Sequence, residues 1–256
     1  MSESEIETLA GLIREANRTL VFTGAGISTA SGIPDYRGPQ GVWKTRQPVY
    51  LQEFLTSAEG REEYWDFKLE GWDGYRDAQP NAVHEACVDL ERGGKLELLV
   101  TQNIDGLHLA AGTSPEKLVE IHGTDTRVSC LECGAESDPE TCYESFRETR
   151  QPPRCGCGGW LKPATISFWQ NLRTEDLERS FAAARRADLV ISLGSTLSVH
   201  PAASIPLTAA DRGVPYVIVN RGETEQDHHP AVTMRIDGDV GSAFPEAVAR
   251  VVPQVG

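Results

Sequence analysis

Residues 19–29 read TLVFTGAGIST, and this stretch decides the fold. Leu20, Val21 and Phe22 are apolar on consecutive positions rather than alternate ones, the pattern of a strand covered on both faces. The run ends at Thr23 and gives way to Gly24-Ala25-Gly26. Residues this small let the chain turn sharply and bring its backbone close to a phosphate, with the N–H groups of a following helical turn facing it. A buried strand feeding such a turn is the start of a doubly wound, nucleotide-binding sheet. The stretch departs from the G-x-G-x-x-G fingerprint, because Thr29 stands where a third glycine is needed. No acidic residue closes a second strand about twenty positions later. An ordinary hydride-transfer enzyme is therefore disfavoured.

The same apolar habit recurs at 96–101, 118–122, 189–193, 216–220 and 234–236. Helical periodicity fills the intervals at 3–16, 81–92, 174–186, 201–212 and 242–251. Strands alternating with helices predict an α/β fold: a Rossmann-type parallel sheet with helices on both faces. Two segments break the rhythm. Residues 35–77 are rich in aromatics and show no clear strand, and residues 127–160 hold four of the six cysteines. Both are expected to leave the sheet as a smaller domain. The large domain then takes 1–34, 78–126 and 161–256.

Strand ends carry the chemistry. The strand at 96–101 runs into Thr101-Gln102-Asn103-Ile104-Asp105-Gly106-Leu107-His108, a cluster of hydrogen-bonding side chains where a core element stops. Gly194-Ser195-Thr196 and Asn220-Arg221-Gly222 follow two further strands. Ligands of open α/β sheets bind outside the carboxyl ends of the strands, so these loops and the glycine turn predict one shared crevice.

Cys130 and Cys133 form a C-x2-C pair, and Cys155 and Cys157 a C-x-C pair. Four thiolates in two pairs suit tetrahedral Zn2+ and leave no open position, which makes the metal structural. Gly156 and Gly158 supply the backbone freedom that the tighter pair needs. Cys142 is a spare candidate ligand, and Cys87, inside a helical pattern, is expected in the core.

The 256 residues carry a net charge of −14, with a pI near 4.9 and a mean hydropathy of −0.34. A binder of phosphate backbones is basic, so direct nucleic-acid binding is not expected. An acidic surface favours a basic partner such as a Lys-rich tail, and it also serves solubility alone. No run approaches the roughly 18 apolar residues of a membrane span. The acidic, amphipathic N-terminus lacks the regions of a signal peptide, and a cytoplasmic location is expected.

Taken in order, GAGISTASGIPDYRG (24–38), TQNIDGLH (101–108), IHG (121–123), the two cysteine pairs, LGSTLSVHP (193–201) and IVNRGET (218–224) resemble the sirtuin family of NAD-dependent protein deacylases. The resemblance covers nearly the whole chain. It implies a large NAD domain, a small domain of zinc ribbon plus helical module, and a cleft between them where NAD meets an acyl-lysine peptide. It gives Gln102 and Asn103 to the nicotinamide ribose, and Ile104 and Asp105 to the carboxamide. His122 becomes the catalytic base, with Asn103 in the catalytic set. Ala25, Gly26, Ser28 and Thr29 line the phosphate and nicotinamide side, and Asp35, Tyr36 and Arg37 sit on a loop that closes over NAD. Ser195, Thr196 and Asn220 reach phosphate and ribose, and Asp239-Val240 flank the adenine.

The implied chemistry suits these residue types. The acyl oxygen attacks C1′ of the cofactor's ribose as nicotinamide leaves. A neutral imidazole, of ordinary pKa about 6.5, then takes a proton from a ribose hydroxyl. The products are free lysine, nicotinamide and O-acyl-ADP-ribose. One departure matters: Phe168-Trp169-Gln170 stands where the family has Phe-Gly-Glu. In the family that loop and the segment matching Leu197–His200, which includes Val199, sandwich the substrate as an added strand. Trp169 either points away or reshapes the entrance, so protein mono-ADP-ribosylation from the same NAD site is the alternative reading. No tyrosine in residues 34–77 has arginine three positions later, which predicts weak activity on succinyl or malonyl groups.

Overall fold

The structure is a computed structural model and describes residues 2–38 and 41–253. Pro39 and Gln40, inside the expected cofactor loop module, lie outside the described residues. Helix α1 (Glu3–Glu15) leads into strand β1 (Thr19–Thr23); α2 (Leu51–Thr56), α3 (Ala58–Asp77) and α4 (Ala82–Arg92) precede β2 (Leu96–Thr101). Helix α5 (Leu107–Ala111) and β3 (Leu118–Glu120) follow. Strand β4 (Gly123–Cys130), β5 (Glu136–Ser137), α6 (Pro139–Thr149) and β6 (Leu161–Thr165) leave the rhythm. Helix α7 (Thr174–Arg186), β7 (Leu189–Leu193), α8 (Ser204–Ala210), β8 (Tyr216–Asn220), β9 (Met234–Asp237) and α9 (Val240–Ala249) restore it.

Six strands form one sheet in the order β3-β2-β1-β7-β8-β9, parallel throughout. The chain winds outward one way from β1 and then the other way from β7, so the topological switch point lies between them. Side chains of β1 alternate between two cores. Val21 packs with α1, α4 and α9 on one face, while Leu20 and Phe22 pack with α7 and α8 on the other. Each large apolar side chain so buried stabilises the fold by about 1.5–3 kcal/mol. Helix α1 opens with a capping box of Ser2 and Glu5 and buries Ile6, Leu9, Ala10 and Ile13 along one stripe.

Two expected helices shift. The pattern over 201–212 forms a helix only at 204–210. Helix α9 starts at Val240, because the Asp239 side chain accepts from Gly241 N and caps it there.

A second, three-stranded antiparallel sheet has the order β5-β4-β6. It runs past both ends of the 127–160 module expected from sequence, because β4 begins at Gly123 and its partner β6 ends at Thr165. Residues 35–77 contribute helices and no strand among the described residues. The two modules share one core of Phe54, Trp65, Tyr143, Phe146, Val128 and Leu161. Trp72 stacks on Tyr143 within it, with ring centroids 4.2 Å apart.

Candidate active site

A crevice of about 1440 Å³ lies at the carboxyl ends of the strands. The glycine turn forms its floor by packing against the loop after β7: Gly24 N donates to Leu193 O at 3.0 Å and Gly26 N to Gly194 O at 2.9 Å. A β-carbon on Gly26 would lie 2.9 Å from Gly194 Cα, and Gly194 itself has φ +60°. The demand for glycine here is thus loop against loop. Thr29 closes the turn instead of a third glycine, donating its hydroxyl to Gly26 O at 3.1 Å. Ala25 and Thr29 face the crevice.

The tip after β2 divides its labour. Gln102, Asn103 and Ile104 reach the crevice. Gln102 Nε2 donates to Ser195 Oγ at 2.7 Å, tying the β2 tip to the β7 loop across the switch point. Asn103 Nδ2 donates to Ser28 Oγ at 3.0 Å, and Ser28 Oγ donates to Asp105 Oδ2 at 2.7 Å. Asp105 in turn accepts from Leu107 N. Ser28 and Asp105 therefore stand behind the wall and hold Asn103. His108 points into the core, its Nε2 3.1 Å from Thr23 Oγ1.

His122 follows β3 and lines the crevice. Its Nδ1 lies 3.1 Å from the carbonyl oxygen of Gln102. A carbonyl only accepts, so Nδ1 carries the proton and Nε2 is left as the basic nitrogen. Burial lowers the pKa of this imidazole below the usual histidine value, with the Gln102 hydrogen bond opposing and Arg37 assisting. The ring is a neutral base at neutral pH.

Ser195 and Thr196 continue the wall, followed by Asn220, Arg221, Gly222 and Val240. Asn220 Nδ2 donates to the carbonyls of Arg221 and Gly222, which shapes that loop. Asp35, Tyr36 and Arg37 form the opposite side. The Asp35 carboxylate accepts from Gly38 N at 2.7 Å, and Tyr36 stacks on Trp43 with centroids 5.3 Å apart. The sequence reading missed Trp43, Phe67 and Lys68, which also line the crevice. Aromatic enrichment of their segment was visible, but not which rings turn outward. Lys68 pairs with Asp125 at 2.7 Å with both side chains more than nine-tenths buried, and Asp125 N bonds Ile104 O. The pair fastens α3 of the small domain to the β2 tip.

At the mouth, Phe168, Trp169, Val199 and His200 line the opening, while Leu197 is fully buried behind it. The four sulfurs of Cys130, Cys133, Cys155 and Cys157 lie within 4.8 Å of one another. Cys130 and Cys157 are 3.5 Å apart, and Cys133 and Cys155 3.7 Å. Tetrahedral Zn–S bonds of about 2.3 Å place sulfurs about 3.8 Å apart, so the set fits zinc. Cys142 is buried in the aromatic core and takes no part.

The model of the Sir2 family matches residues 24–201. An NAD-dependent protein deacetylase of Rhodopseudomonas palustris is 38% identical over 235 residues, covering 91% of this chain and 93% of that protein. One of Haloarcula marismortui is 38% identical over 250 residues, covering 96% and 94%. A solved structure of Sir2 with a p53 peptide and NAD+ superposes with a TM-score of 0.85 at 34% identity, covering 95% of this chain and 97% of that one. A Sir2 complex with deacetylated p53 peptide and 3′-O-acetyl ADP ribose gives 0.88 at 34% identity, covering 96% and 97%.

Proposed function

The chain belongs to the Sir2 family, and on that premise we infer the roles of its residues in an NAD-dependent protein-lysine deacetylase. The enzyme moves the acyl group of a lysine to ADP-ribose and releases nicotinamide and O-acyl-ADP-ribose. Bound NAD supplies the ADP-ribose acceptor and the nicotinamide leaving group. The crevice fits it: small-residue loops at the switch point suit a pyrophosphate, and the polar tip of β2 sits beside them.

The observation that carries the assignment is the Nδ1 contact of His122 to Gln102 O, which leaves Nε2 basic at the crevice wall. His122 takes the ribose-hydroxyl proton at Nε2. Gln102 and Asn103 hold the nicotinamide ribose, and Asn103 is kept in place by Ser28 and Asp105. Ile104 backs the carboxamide. Gly24, Ala25, Gly26 and Thr29 cradle the phosphates with Gly194, Ser195 and Thr196. Asn220, Arg221, Gly222 and Val240 hold the adenosine, and Asp35, Tyr36 and Arg37 cover the cofactor. Phe168, Val199 and His200 guide the peptide strand over the buried Leu197. The zinc of Cys130, Cys133, Cys155 and Cys157 is structural. Free cysteines and a thiolate metal set support a reducing, cytoplasmic location. Among the described residues no helix is long and apolar enough to cross a membrane.

Protein ADP-ribosylation is not favoured, because the relatives carry the deacetylase name and His122 is a base that a pure transferase would not need. Mass spectrometry of a reaction with NAD and an acetyl-lysine peptide is expected to give deacetylated peptide and O-acetyl-ADP-ribose together. His122→Ala should cut both products by at least 100-fold while NAD binding persists. Nicotinamide release with every peptide still acetylated would overturn the assignment.

A further inference from the structure

Trp169 combines two features that cost the free protein stability, a left-handed backbone and an exposed aromatic side chain. Its backbone has φ +67°, a region that a β-carbon disfavours. It occupies the third position of a turn in which Gln170 N donates to Ser167 O at 3.0 Å, the place where such turns take glycine. The turn is locked a second time, because Ser167 N donates to Gln170 Oε1 at 3.0 Å. Trp169 is 89% exposed. Its ring contact is with Tyr50, edge-on with centroids 6.4 Å apart, and Tyr50 is itself 39% exposed. The lock therefore presents an open aromatic face at the crevice mouth.

We propose that Trp169 is a specificity residue that binds an unmodified Lys or Arg side chain flanking the acyl-lysine of the substrate. This rests on the deacetylase reading. Acylation removes the charge of the target lysine, so an enzyme with net charge −14 can select a basic segment only through its neighbours. An indole face attracts a cation through its quadrupole.

The test uses acetyl-lysine peptides carrying Arg, Leu or Asp at each flanking position, read by fluorescence anisotropy and by steady-state kinetics. For at least one position the wild type should bind the Arg peptide about fivefold more tightly than the Leu peptide. Trp169→Gly and Trp169→Leu should both bring that ratio to within about twofold, in the anisotropy Kd and in KM alike, and Trp169→Gly should not lower the melting temperature. No Arg preference at any position, a preference that survives in Trp169→Leu, or a lower melting temperature in Trp169→Gly would each overturn the proposal. A complete absence of deacetylated peptide would strike the deacetylase reading instead, while the anisotropy series still decides the role of Trp169.

Discussion

The two walls of the crevice are held in different ways. The cofactor wall is built from the ends of parallel strands, and its parts are tied by backbone: Gly24 to Leu193, Gly26 to Gly194, His122 to the Gln102 carbonyl. The opposite wall hangs from two irregular modules. It depends on a four-cysteine cluster that fits zinc, a shared aromatic core and the buried Lys68–Asp125 pair. The first wall tolerates little change of shape. The second depends on a few removable groups, so single losses there should propagate furthest.

The largest effect should break the walls apart. Cys155→Ala, or removal of zinc by a chelator, should unfold the small domain and abolish activity, since structural zinc contributes folding energy outright. Hydrogen exchange should still find the core amides of β1 and β7 protected. A stable, active Cys155→Ala protein would refute the ligand set, and Cys142→Ser should leave zinc at one per chain. Next comes the pair between the walls. Asp125→Ala strands the Lys68 charge and should cost about 3–5 kcal/mol in denaturant unfolding. An apolar double replacement at Lys68 and Asp125 should recover most of it. On the cofactor wall, Gly26→Ala pushes a β-carbon against Gly194 and should cost about 1–3 kcal/mol, with NAD affinity falling in calorimetry. Unchanged affinity would mean that the loops can separate freely.

The smallest effect concerns pH. Burial lowers the His122 pKa, so the base form survives to lower pH than an ordinary histidine of about 6.5 would allow. The acid limb of the kcat/KM profile, which reports the free enzyme, should therefore lie below that value. An acid limb above it would mean that the imidazole is stabilised as a cation.

Much of this was legible in order along the chain. Continuous apolar runs placed β1, β2, β7 and β8 at their observed bounds, because burial on both faces imposes a local, one-dimensional pattern. Cysteine spacing gave the two chelates, and their sulfurs meet across them, Cys130 with Cys157 and Cys133 with Cys155. Resemblance gave the candidate site residues. It did not say that Ser28, Asp105 and Leu197 lie behind the wall, since burial depends on what packs in front.

By itself, then, the sequence determined the parallel sheet, the position of its glycine turn and the four thiolates, all of which follow from spacing within short segments. Only the tertiary structure decided that Cys142 is core and that Trp43 and Phe67 are wall. It alone brought Lys68 to Asp125, Gln102 to Ser195 and the glycine turn to Gly194. Those contacts join segments far apart in the chain, and only the packing of one module on another selects which side chains meet.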